Sequence, residues 1–222
     1  MNISWNFTFC CFIALLISCS GGQGQQLEGR DGFAVMPAAK QGERVATFAG
    51  GCFWAMQECL IELKGVHKVI SGYSGGSKAN PTYAEMLSKT TGHAEAVQVY
   101  YDPQLISFEQ LTKAFFYAHD PTQLNGQGPD IGPDYRSIVF FRSPEEYNTI
   151  RKIITNIDSS GIYNKPVVTE ILPYQMIYGA EMDHQDYYKK NSWDPYIRNV
   201  SRLKVMKLRE EMPALIKKEY LN

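Results

Sequence analysis

The sequence predicts an α+β or α/β sandwich in which helices cover a sheet. Three observations predict it: from Arg44 onward strand-like runs alternate with helix-periodic ones, their connections are of mixed length, and no repeat or low-complexity segment interrupts the series. At 222 residues and 44% hydrophobic, the chain can bury one good core with little left for a second, so one principal domain is expected.

Val45–Ala49 is a short apolar run stopped by Gly50-Gly51, the pattern of a strand entering a turn. Cys52 to Leu63 follows as a helix, with Phe53, Met56, Leu60 and Leu63 spaced along one face. Val66–Tyr73 reads as a second strand that runs into the glycine- and serine-rich loop at Gly75-Gly76, and Pro81 opens a short helix bearing Tyr83. Ala94–Tyr101 is a strand ended by Asp102-Pro103, after which Ser107 and Gln110 have the spacing of a capping box for a helix through Leu111 and Phe115. Residues 121–134 hold three Pro and three Gly and predict a long irregular loop, a common place for function. Arg136–Phe141 is another strand, and Ser143-Pro144-Glu145-Glu146 supplies the N-cap, first-turn proline and capping glutamate of the next helix. Val167–Leu172 gives the last strand, and helices are expected over Ala180–Lys190 and Ser201–Leu221, the second broken near Pro213.

The N-terminus reads as an address. Its apolar run Phe7–Ile17 is short for a bilayer span and has the length of a signal-peptide core. It ends in Leu16-Ile17-Ser18-Cys19, which resembles the bacterial lipobox, where cleavage precedes a cysteine that is then acylated. Residues 1–18 are therefore expected to be removed and Cys19 to carry lipid, although no Lys or Arg precedes Arg30 to make a positive n-region. The polar stretch from Ser20 to Gln26 reads as flexible, and residues 19–43 are assigned as a tether. The expected location is extracytoplasmic, periplasmic and membrane-anchored as a lipoprotein, touching the membrane only through the lipid.

A formal net charge of −1, from 22 basic and 23 acidic side chains, provides no electrostatic footprint for nucleic acid. Besides Cys10, Cys11 and Cys19 the chain has only Cys52 and Cys59, which form neither a disulfide framework nor a zinc ligand set, nor the spacing of a thioredoxin-like pair. Gly72 to Gly76 lacks the spacing of a nucleotide-binding loop. Cys52, by contrast, follows two glycines at the first residue of a helix, where unpaired backbone N–H groups converge and are expected to stabilise a thiolate. A cysteine at a helix start is more often a small buried residue, but the glycines before this one and the aromatics after it suggest a nucleophile open to a ligand.

The stretch Gly50-Gly51-Cys52-Phe53-Trp54-Ala55-Met56-Gln57-Glu58 resembles the signature of the A-type peptide methionine sulfoxide reductases, with Ala55 where that family often has glycine. Gly72-Tyr73-Ser74-Gly75-Gly76, Asn80-Pro81-Thr82-Tyr83, Thr91-Gly92-His93-Ala94-Glu95, Asp134-Tyr135-Arg136-Ser137 and His184-Gln185-Asp186-Tyr187 follow in the family's order. The resemblance implies an α+β fold with a ferredoxin-like split βαβ core and additional helices. It assigns residues 44–205 to the catalytic domain and leaves 206–222 as a C-terminal helical tail.

The same resemblance implies thiol-dependent reduction of the S epimer of methionine sulfoxide, free or in oxidised proteins, to methionine. By it, Cys52 attacks the sulfoxide sulfur and becomes a sulfenic acid while Glu95, kept protonated by an apolar pocket, donates a proton to the oxygen. Tyr83 and Tyr135 match the tyrosines that bond that oxygen, Phe53 and Trp54 the wall that receives the methyl group, and Asp130 and His184 positions that help bind substrate. The loop Gly126–Pro133 departs from the commoner spelling, which bears on Asp130. No metal, flavin or nicotinamide cofactor is required, a thioredoxin-like or other thiol reductant supplies the electrons, and a monomer is expected. Two other readings share the helix-start cysteine: a thiol oxidoreductase acting on peroxides or disulfides, and a protein that binds oxidised methionine without turnover.

No resolving cysteine follows Cys59. Seven residues of helix place Cys52 and Cys59 ~10 Å apart along the axis, too far for a disulfide, so Cys59 is expected to be a buried helix residue and the enzyme to work with one cysteine.

Overall fold

The computed structural model describes residues 25–221; Cys19 and the apolar run before it lie outside the described residues. Six strands build one mixed sheet: β1 (Arg44–Gly50), β2 (Val66–Ser74), β3 (Ala94–Tyr101), β4 (Ser137–Phe141), β5 (Glu170–Pro173) and β6 (Ile177–Gly179). Their order is β6-β2-β3-β1-β4-β5, and every neighbouring pair is antiparallel except β4 with β5. Helix α1 (Phe53–Ile61) joins β1 to β2, the short α2 (Tyr83–Leu87) lies between β2 and β3, and α3 (Phe108–Tyr117) joins β3 to β4. Because β3 inserts between β1 and β2, the unit β1-α1-β2-β3-α3-β4 is the split βαβ core expected of an α+β ferredoxin-like fold. The long α4 (Pro144–Ser160) is the crossover that the parallel pair β4–β5 requires.

β3 occupies the middle of the sheet and all eight of its residues are buried, so its side chains do not follow the in-and-out alternation of a one-sided strand. On one face the helices pack around Phe48, Phe53, Leu60 and Phe115, with the Phe48 and Phe115 rings stacked at 5.0 Å. On the other, Ile70 and Tyr100 pack against Ala34, Leu27, Met36 and Met182. The capping box of Ser107 and Gln110 forms as read, and so does a second one of Thr82 and Glu85 at the start of α2, each satisfying helix donors that are otherwise unpaired.

Five expectations are corrected. The tether does not extend to residue 43: Gln25 exchanges hydrogen bonds with the Val69 backbone, Gly29–Arg30 pairs with Phe33–Ala34, and Tyr100 donates to the Pro37 carbonyl. The last strand is Glu170–Pro173, shifted from Val167–Leu172, and a further edge strand, β6, follows it. Ala180–Lys190 is not one helix but a 3₁₀ turn, Met182–His184, and α5 (Tyr187–Lys190), separated at Asp186 with φ +53°. The break arises because the Gln185 side chain pairs with both the N–H and the C=O of Ser71, pinning the segment to the sheet edge. The terminal helix α6 (Arg202–Glu211) is led in by a π-helical turn, Ile197–Ser201, and stops before Pro213 as expected, but only two 3₁₀ turns, Pro213–Leu215 and Lys218–Tyr220, follow it. Finally, the loop 121–134 contains a small hairpin, Gly126–Gln127 with Asp130–Ile131, that presents Asp130.

Candidate active site

β1 ends at Gly50-Gly51, and Gly51 has φ +83°, a conformation that an L side chain adopts only with strain; a Cβ there would also meet the Gln127 side chain at 2.6 Å. The chain can therefore turn sharply and deliver Cys52 as the residue before the first helical turn of α1. One of that turn's free amides is spent locally, the Phe53 N–H donating to Glu95 Oε2 at 2.9 Å, and the Trp54 N–H lies near the Cys52 sulfur and favours its ionised form.

The expected stabilised thiolate is corrected in the resting site. Burial pushes the Cys52 thiol up, the neighbouring Glu95 charge adds to that, and the Trp54 amide and the Tyr196 hydroxyl pull against it and lose. Cys52 is thus held as a thiol, with the Trp54 amide near it to favour a thiolate once one forms. Glu95, on β3 opposite Tyr73 of β2, is 3% exposed, and burial pushes its carboxyl up to about 8 against the opposing Phe53 hydrogen bond. It is a protonated acid at neutral pH beside the sulfur.

The remaining expected residues converge on the same place. Tyr83 on α2 and Tyr135 at the end of a 3₁₀ turn both feel the Glu95 and Cys52 charges, and burial raises each phenol, Tyr83 to about 12, so both remain hydrogen-bond donors. Phe53 lies against Tyr73 and His184, with ring centres 5.9 and 5.4 Å apart. Trp54 stacks on Tyr187 at 3.8 Å and donates its indole N–H to His184 Nδ1 at 3.2 Å. That bond leaves the His184 proton on Nε2, and burial lowers its pKa, so the ring is neutral. Cys19 lies outside the described residues, and among those described no three His, Cys, Asp or Glu side chains gather as a metal site.

Two residues escaped the sequence reading. Tyr196 donates to Asp130 Oδ2 at 2.5 Å and lies close enough to Cys52 for each to shift the other's titration, bringing the hairpin of Asp130 beside that cysteine. Glu181 accepts from the Tyr73 hydroxyl and from the Tyr83 backbone N–H, both at 2.8 Å, and so fixes α2 over the site. Neither stands in a patterned motif; one is a tyrosine among fourteen, and the available signal was only proximity in sequence to His184 and the C-terminal helix.

Comparison with known proteins gives a consistent outcome. The family model described as peptide methionine sulfoxide reductase matches residues 44–215, so the matched region runs ten residues past the expected domain end at 205. The chain is 46% identical over 165 residues to a peptide methionine sulfoxide reductase MsrA of Natronomonas pharaonis, covering 74% of this chain and 93% of that one. It is 45% identical over 178 residues to MsrA 1 of Rhodopirellula baltica, covering 80% and 92% respectively. Among solved structures, reduced Mxr1 of Saccharomyces cerevisiae superposes with a TM-score of 0.66 at 30% identity, over 71% of this chain and 91% of that one. Methionine sulfoxide reductase A of Corynebacterium diphtheriae gives 0.63 at 32% identity, over 70% and 78%.

Proposed function

The chain belongs to the peptide methionine sulfoxide reductase family and is a peptide-methionine (S)-S-oxide reductase, and from that premise we propose how the residues at the start of α1 divide the reaction. Cys52 attacks the sulfoxide sulfur, and Glu95 passes its proton to the sulfoxide oxygen, which Tyr83 and Tyr135 hold by hydrogen bonds. Phe53 and Trp54 receive the methyl group, and Asp130 and His184 position the substrate. The oxygen moves with its proton to Cys52 as a sulfenic acid, methionine leaves, and the thiol proton replaces the one Glu95 gave. One thiol and one sulfoxide thus become one sulfenic acid and one thioether, the two electrons coming from the Cys52 sulfur.

A single observation carries this reading: a buried carboxyl, pushed up to about 8, shares the first turn of α1 with a buried cysteine. The test is a single turnover with one equivalent of methionine sulfoxide and no reductant. Intact mass should rise by one oxygen on Cys52, and Cys52→Ser should yield no methionine, since a hydroxyl is a far weaker nucleophile at neutral pH. Methionine formation by Cys52→Ser would remove Cys52 from this role.

The sulfenic acid is then reduced from outside. A first thiol condenses with it, releasing water and leaving a mixed disulfide, and a second thiol, from a thioredoxin-like dithiol or another small thiol, cleaves that disulfide and restores Cys52. The Leu16-Ile17-Ser18-Cys19 run supports a lipid-anchored, extracytoplasmic enzyme. Cys19→Ala should move the protein from the membrane to the soluble fraction with unchanged specific activity; a mature N-terminus that is an unmodified residue other than Cys19 would refute the anchor.

A further inference from the structure

Lys204, on α6, has a half-buried stem and a fully buried Nζ that makes no hydrogen bond with any described residue. Its ammonium points at the catalytic turn: Nζ lies 3.5 Å from where a Cβ on Gly51 would stand, one residue before Cys52. The polar groups around it are already committed. Gln127 accepts from the Asp120 N–H and donates to the Asp120 carbonyl, and His119 uses one ring nitrogen on the Phe115 carbonyl and the other on Ser137. A buried cation with no counter-charge in contact is costly, and an apolar side chain of similar length would fill the space without that cost.

We propose that Lys204 is a positioning residue for the reductive step, a buried cation behind the start of α1 that stabilises the Glu95 carboxylate formed when the acid gives its proton to the sulfoxide oxygen. The proposal rests on the role given to Glu95 above. Its charge reaches Glu95, Cys59 and His119, of which only Glu95 changes charge in the proposed cycle. The groups facing Glu95 are otherwise neutral donors or acids. Asp130 and Asp134 come from the hairpin and the 3₁₀ turn after it, and Tyr135 from the end of that turn. Tyr73 comes from β2, Tyr83 from α2, and Cys52 from the head of α1. Two carboxylates beside Glu95 oppose a third negative charge, and Lys204 is the cation among its main influences within the described residues. The bond that breaks is the Glu95 O–H, the bond that forms is the O–H on the sulfoxide oxygen, and Lys204 exchanges no proton.

The test is the single-turnover rate with N-acetylated methionine sulfoxide across pH values either side of 8, for the wild type, Lys204→Met and Lys204→Arg. Without the cation Glu95 holds its proton more tightly, so in Lys204→Met the plateau should fall about tenfold and the alkaline limb should move up by about one pH unit, with substrate affinity unchanged. Lys204→Arg should restore both. If Lys204→Met does not fold, Lys204→Gln makes the same charge deletion with a polar head and should show the same shift. An unmoved limb in the neutral variant, or equal impairment of the Met and Arg variants, would overturn the proposal by making Lys204 a packing residue. Glu95→Gln in the same assay separates the two readings: a wild-type rate there refutes the acid itself, whereas a slow Glu95→Gln with an unmoved Lys204→Met limb refutes Lys204 alone.

Discussion

Glu95 sits on a strand buried along its whole length, and against the loss of water its carboxyl has one donor, the Phe53 amide. Its folded-state value of about 8 lies above the usual carboxyl value, so the folded chain binds this proton more tightly than the unfolded chain does. The stability linked to that proton is complete below the unfolded carboxyl value and is lost as pH rises through about 8. Glu95→Gln should therefore act in opposite directions on rate and stability. The reductive step should slow by roughly 10²–10⁴-fold, the range of general acid catalysis. The variant should be the more stable one by roughly a few kcal/mol at pH 8, the gain vanishing towards pH 4. Single-turnover kinetics and thermal unfolding over that range check both; a stability difference that does not vary with pH would contradict the burial argument. At this scale the place of Cys52 at the head of a helix was readable in the sequence, because Gly50-Gly51 marks the turn out of the strand. Glu95 was not readable from its residues, since a strand glutamate is usually solvated and only the resemblance marked it. Tyr196 and Glu181 act through contacts made across the fold and left no local pattern.

Helix α1 shows what periodicity can and cannot deliver. Phe53, Met56, Leu60 and Leu63 form the expected apolar face and are all buried. Gln57, Glu58 and Glu62 lie outside that face, yet all three are buried too. Gln57 is tied to the Val69 carbonyl, the Gln185 side chain and the Asp186 N–H, Lys189 of α5 faces Glu58, and α6 with the turns after it covers Glu62. Arg209 clamps Glu62 with two hydrogen bonds of 2.6 and 2.7 Å, the Lys217 N–H donates to the Glu62 carbonyl, and the Lys64 N–H donates to the Leu215 carbonyl. The presumed tail from residue 206 is thus part of the domain, and its charges are the partners that allow acidic residues inside. Crowding of Glu58 against Glu62 follows: burial pushes Glu58 up to about 8, with Glu62 adding to it and Lys189, 3.8 Å away, relieving it. Arg209→Met should cost about 3–5 kcal/mol, because it strands Glu62, which is 0% exposed, without its cation. Chemical denaturation measures it; a loss under about 1 kcal/mol would mean that the ion pair behaves as a surface one.

Across the whole molecule, one architectural fact bears on how the proposed sulfenic acid would be reduced: the helix headed by Cys52, the proposed nucleophile, is also the centre of the core. α1 is enclosed by the sheet, α3, α5 and α6, and Cys59 within it is 0% exposed in the main hydrophobic cluster. Cys52 precedes the first turn of α1 and Cys59 lies inside its last, and both are free thiols. A disulfide wants Cα atoms within roughly 7 Å, whereas the helical rise separates these two by ~10 Å along the axis. Bringing them together would unwind about two turns of α1 and withdraw Met56 and Leu60 from the core, at several kcal/mol for each large side chain lost. Burial also pushes the Cys59 thiol up, with the Glu62 and Glu58 charges adding to that, so it is held as the poorly nucleophilic form. The separation was legible in the sequence as spacing, but only the packing shows that α1 cannot loosen cheaply. Cys59→Ser should therefore turn over with dithiol at the wild-type rate, apart from any stability lost by placing a hydroxyl in the core. Oxidising turnover without reductant should stop at one added oxygen on Cys52 in both proteins. Peptide mapping that finds a Cys52–Cys59 link, together with turnover that collapses in Cys59→Ser at a temperature where the variant is still folded, would show that α1 opens during the cycle after all.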